Sequence, residues 1–149
     1  RHVPKQDPHD SRNATDTFHE TSVTHSIFKI LAENSLVLAR LNLNNGEYEI
    51  LKRDYRLHGR GLELEHDFES YNRRILNEKL IHPDDEELYR ARITLSSLHD
   101  FFFDGKKQLS YQFHRQLNNK YIPTVMEFFA GNRCDVQNPW IVVLIREIS

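Results

Sequence analysis

The chain has 149 residues, with 20 lysines and arginines against 22 aspartates and glutamates and a formal charge of −2. That length suits one ordinary domain, which buries about two-thirds of its extended-chain surface without a metal or disulfide staple. The charge balance argues against a nucleic-acid surface, the lone Cys134 excludes an intramolecular disulfide, and no apolar run approaches the ~20 residues of a membrane span.

A single cysteine fits a reducing, cytoplasmic setting. The sequence starts at Arg1 with neither methionine nor signal peptide, as a fragment of a longer, even membrane-anchored, parent would. Residues 1–16 are polar, carry Pro4 and Pro8 and show no periodicity, which reads as a linker or mobile arm. Thr17-Phe18-His19-Glu20 has the form of a capping box. The apolar cluster Ile27, Phe28, Ile30 and Leu31 then predicts helix, with Asn34 closing it in a left-handed conformation. Residues 1–26 are therefore expected to be an arm and the start of a flanking helix, and 27–149 the domain itself.

Residues 36–43 and 47–51 are β-compatible around Asn44-Asn45-Gly46, and Asn-Gly favours a tight hairpin because both residues tolerate positive φ. Alternation sends Val37, Ala39, Leu41 and Leu43 to one face, joined by Tyr48 and Ile50. A charged crossing with Gly59 and Gly61 leads to helical spacing at Phe68, Tyr71, Ile75 and Leu76, with Asp67 as N-cap. His82-Pro83-Asp84-Asp85-Glu86-Glu87 opens a second helix, with proline at its first position and acids at the positive end of its dipole. Leu88, Ala91, Leu95 and Leu98 make its predicted buried stripe.

The last third is β. Leu109, Tyr111, Phe113, Arg115 and Leu117 alternate with polar residues, and Asn118-Asn119-Lys120 makes a turn. Residues 121–130 follow, with Ile122, Met126 and Phe128 on one face and Val125 and Phe129 on the other. Trp140 to Ile145 is a continuous apolar run, as a central strand requires. Helix, hairpin, two helices and three strands predict an α+β fold, a five-stranded antiparallel sheet with helices on one face.

That succession resembles the PAS fold. Ile81-His82-Pro83-Asp84-Asp85 resembles the hydrophobic-His-Pro-Asp-Asp signature before the last helix of many PAS domains, and residues 109–115 resemble their aromatic-x-x-x-Arg strand. Residues 140–149, ending Arg146-Glu147-Ile148-Ser149, are similar to the final strand that leads into an output domain. Leu41-Asn42-Leu43-Asn44-Asn45-Gly46 is similar to the opening hairpin. The style of 68–85 looks most like sensor domains ahead of bacterial diguanylate cyclases, which carry a GGDEF output domain. Two positions depart from the usual pattern: Asn42 stands where Asp is common, and Tyr121-Ile122-Pro123 where a tryptophan is common.

The resemblance implies a sensory module, not an enzyme, that binds a small molecule or partner, pairs as a homodimer and controls a C-terminal output domain. Ligands of this fold sit between sheet and helices. The lining candidates are Leu41, Tyr48, Tyr71, Ile75, Tyr111, Phe113, Met126 and Phe128, with Arg115 as an anion partner if alternation carries it inward. A ligand-free dimerisation module is the alternative, its interior a filled core. Tyr121, Val125 and Phe129 are candidates for outward or edge contacts between subunits.

Metal and cofactor signals are weak. Asp84 and Asp85 are neighbours, and adjacent helical residues diverge by about 100°, so His82 and these acids read as a helix-start device. His66, His82 and His99 lie off the apolar stripes, against a haem ligand role. The Asn-Cys-Arg-Phe run of blue-light flavin domains is absent, and there is neither a Gly-rich phosphate loop nor a Gly-x-Ser-x-Gly elbow. No haem or flavin signature is present and the cofactor is left unknown.

Overall fold

Alternating hydrophobicity in five segments produces strands β1 (Val37–Asn42), β2 (Tyr48–Arg53), β3 (Gln108–Leu117), β4 (Lys120–Phe129) and β5 (Trp140–Glu147). They form one antiparallel sheet in the order β2-β1-β5-β4-β3. The computed structural model describes residues 26, 29–31, 33–54, 56, 57, 62 and 65–148. The polar arm, the Thr17 capping box, Ile27, Phe28 and the Gly59 and Gly61 crossing lie outside them. The chain divides into two units, Arg1–Asn34 and Ser35–Ser149.

In the first unit, residues 26, 29–31 and 33 are helical, and Ile30 and Leu31 are exposed. Asn34 closes this helix differently from expectation. Its φ is not positive; instead its side-chain amide donates to the Ile30 carbonyl at 2.9 Å. A side chain that reaches an orphan carbonyl removes the need for a left-handed residue.

In the second unit, β5 is central, hydrogen-bonded to β1 and β4, which explains its unbroken apolar run. The register places Ala39 opposite Val143 and Ile50, Leu41 opposite Tyr48, and Met126 opposite Tyr111 and Ile145. The inner face is thus Val37, Ala39, Leu41, Tyr48, Phe113, Arg115, Met126, Phe128, Ile141, Val143 and Ile145, all buried. A bulge between Leu38 and Ala39 leaves Leu51 without a partner in the register, and its side chain is exposed.

The first turn is not the tight Asn-Gly hairpin. Asn42 Oδ1 accepts from the amides of Asn44 at 2.8 Å and Asn45 at 3.3 Å, and Gly46 alone takes positive φ, at 80°. The asparagine side chain competes with the backbone for these donors and opens a longer loop. The second turn is tight, with Asn118 and Asn119 both left-handed at φ 52° and 65°.

Among the described residues three α-helices follow β2: α1 (Phe68–Asn77), α2 (Glu86–Arg92) and α3 (Leu95–Phe103). Asp67 caps α1 by accepting from Ser70 N–H at 3.0 Å, and Phe68, Tyr71 and Ile75 face the core. The segment from Pro83 is two helices, not one. After a 3₁₀ turn at Pro83–Asp85, α2 stops at Ile93, and Thr94 caps α3 through Ser97 N–H at 3.1 Å. The break shifts the helical phase. Leu88 and Ala91 are consequently exposed, Leu95 is half-buried, and the buried set is Tyr89, Ile93, Leu98 and Phe102.

Each sheet edge is partly paired. The amides of His82 and Gln116 bond the carbonyls of His114 and Leu80 along β3, and Tyr48 N–H bonds His66 O along β2. On the outer face Leu38, Val125 and Leu144 are buried. Arg40 pairs with Glu49 and lies 4.1 Å over the Trp140 ring, and Arg146 pairs with Glu127.

Candidate functional site

Between the inner face and the helices the core is aromatic and holds buried polar groups. The start of β2 delivers Tyr48, whose ring packs 5.3 Å from Phe68 and 4.8 Å from Tyr71. Asp67, by fixing the first turn of α1, sets the phase that turns Tyr71 and Asn72 inward. The α2 helix adds Tyr89, edge-on to Phe113 at 5.3 Å. Its hydroxyl donates to Asn72 Oδ1 at 2.8 Å, and Asn72 Nδ2 donates to Ile93 O at 3.1 Å. One buried amide therefore ties α1 to the joint between α2 and α3.

Arg115, on β3, completes the group. Its side chain is 1% exposed, and its Nε, Nη1 and Nη2 have no hydrogen-bond partner among the described residues. The Tyr48 and Tyr71 hydroxyls are likewise buried, neither meeting hydrogen-bond geometry with a described residue, and the two rings lie 4.8 Å apart. Among the described residues the other buried polar ones are Ser35, Asn42, Asn72 and Thr124, none of them a carboxylate. Burial pushes the Tyr48 phenol well above its ordinary range, neighbouring Tyr71 and Tyr89 push it further, and Arg115 pulls the other way. Tyr89 is raised by burial first and then by Tyr71, again opposed by Arg115. Both phenols are therefore neutral hydrogen-bond donors at physiological pH, within electrostatic reach of one cation.

Of the residues expected to line a pocket, Leu41, Tyr48, Tyr71, Ile75, Phe113, Arg115, Met126 and Phe128 are buried in this interior, while Tyr111 is half-buried. Tyr89 and Asn72 escaped the sequence reading. The only signal for Tyr89 was its i, i+4 spacing to Ile93, and Asn72 offered none. A cleft of about 250 Å³ opens beside them, lined among others by Asn72, Tyr89, Leu76, Ile93 and Arg73.

The histidine-rich edge is structural. His82 Nδ1 accepts from Asp84 N–H at 3.0 Å, and Asp85 Oδ2 accepts from His114 N–H at 2.7 Å and lies 3.1 Å from His114 Nδ1. Among the described residues no three His, Cys, Asp or Glu side chains are grouped to hold a metal ion. His66 is exposed and His99 half-buried. Tyr121 packs 4.9 Å from the His82 ring and donates to Lys79 O, Val125 is buried and Phe129 half-buried. Burial and then the Asp135 charge raise the Cys134 thiol, which disfavours a reactive thiolate. No helix among the described residues is long and apolar enough to cross a membrane.

No family model and no curated protein matches this sequence. Among solved structures, a domain from Haloarcula marismortui described as part of a light and redox sensing histidine kinase aligns at 14% identity. The alignment covers 84% of this chain and 99% of that one, with a TM-score of 0.48. The strand order β2-β1-β5-β4-β3 of this chain is the α+β arrangement that the resemblance to PAS domains implies.

Proposed function

We propose that the chain is the sensory domain of a bacterial signal-transduction protein, regulatory and not catalytic. It binds a small molecule between sheet and helices and controls a C-terminal output domain, of the diguanylate cyclase kind by resemblance, in a cytoplasmic homodimer. One observation carries this reading: the interior holds a guanidinium and two phenols that no described residue hydrogen-bonds. A core evolved only for packing would pair or exclude such groups, because each buried donor without an acceptor costs about 1–3 kcal/mol and a charge costs more. The central strand β5 supports the output role. Its inward Ile141, Val143 and Ile145 back onto this interior, so a change of occupancy alters packing along the strand that leads out of the domain.

The test is native mass spectrometry of the freshly purified chain followed by denaturing mass spectrometry of the same sample. An added small mass released on denaturation supports a ligand sensor. A clean apo mass in a stable dimer favours the ligand-free dimerisation module.

A further inference from the structure

We infer that the interior site takes a small monoanionic carboxylate, gripped by Arg115 and the Tyr48 and Tyr71 hydroxyls. This rests on the sensory reading and narrows its ligand class. The donors and acceptors match in kind and number. Arg115 offers a planar fork whose nitrogens have no hydrogen-bond partner among the described residues, and the two phenols offer one hydroxyl each. A carboxylate has about four lone-pair sites, two of which suit the fork and two the phenols.

Charge narrows the class further. Arg115 is the one charged side chain among the buried described residues, so a single negative charge neutralises the interior. A dianionic phosphate would leave an excess charge buried, and a neutral ligand would leave the guanidinium uncompensated. Burial raises the Tyr48 phenol well above its ordinary range, so it donates and does not repel the anion.

The test uses calorimetric titration and thermal melting of the chain with sodium acetate, butyrate, hexanoate and benzoate. Each is set against its primary amide, with sodium phosphate and sulfate as further probes. At least one carboxylate should bind saturably and raise the melting temperature, and its amide should not. Arg115→Met, its fold verified by circular dichroism, should lose affinity at least roughly 30-fold. Tyr48→Phe should lose roughly 2–10-fold. Tighter binding of phosphate or sulfate, equal binding of an amide, or undiminished binding by Arg115→Met overturns the inference. If a neutral molecule copurifies and Arg115→Met keeps it, the carboxylate assignment fails while the sensory reading stands. If nothing copurifies and no probe binds, both fail.

Discussion

The hydrogen-bonded chain from Tyr89 through Asn72 to Ile93 predicts a measurable coupling between α1 and the α2–α3 joint. Tyr89→Phe keeps the ring against Phe113 and removes only the hydroxyl, so its cost isolates one bond. Asn72 Oδ1 is left buried without a donor, for which about 1–2 kcal/mol is expected. Asn72→Ala removes two bonds and strands both the tyrosine hydroxyl and the Ile93 carbonyl, for about 2–3 kcal/mol. In the double variant the hydroxyl and its acceptor are gone together, so the loss should fall short of the sum by about 1 kcal/mol. Urea unfolding of the four proteins measures this. With a slope of about 1–3 kcal/mol/M, the Tyr89→Phe midpoint should drop by roughly 0.5–1 M. Additive losses within about 0.3 kcal/mol would refute the coupling.

Gly46→Ala should destabilise more than Gly105→Ala in the same unfolding assay. Both glycines have positive φ, costing alanine about 1–2 kcal/mol, but only at Gly46 would the new methyl meet Leu95 Cδ2 at 3.1 Å and Asp67 Oδ1 at 3.2 Å. Thr94→Ala should cost about 1 kcal/mol and Thr94→Ser almost nothing, because the cap on α3 is a single hydroxyl oxygen. Hydrogen bonds from Arg56, above all, hold the Asp54 carboxyl below its ordinary value of 3.8. A depressed folded-state pKa means that Asp54 contributes stability at neutral pH, and that the contribution is lost as pH falls from 3.8 through the folded value. The gap in urea midpoint between the parent chain and Asp54→Asn should therefore be constant above about pH 5 and close below it.

Much of the sheet was legible because period-two alternation is a local signal. It placed Met126 and Phe128 inward, and its continuation past Phe113 turned Arg115 inward as well. The helical segment was misread for an equally physical reason. Leu88, Ala91, Leu95 and Leu98 fit one unbroken helix, and only the cap that Thr94 makes after Ile93 reveals the change of phase. Tyr89 was hidden by the same shift and Asn72, on α1, by its polar side chain, since their burial depends on each other across two helices. The Asn-Gly turn failed because the deciding bonds come from Asn42, upstream of the dipeptide.

The proposed ligand satisfies an Arg115 guanidinium that no described residue hydrogen-bonds. The most direct measurement is urea unfolding of Arg115→Met beside the parent chain, both unfolded and refolded beforehand to strip any bound molecule. If the guanidinium is uncompensated, the variant should be more stable, by about 1–4 kcal/mol. A loss of about 3–5 kcal/mol would mean that Arg115 is paired within the protein, and would contradict the account.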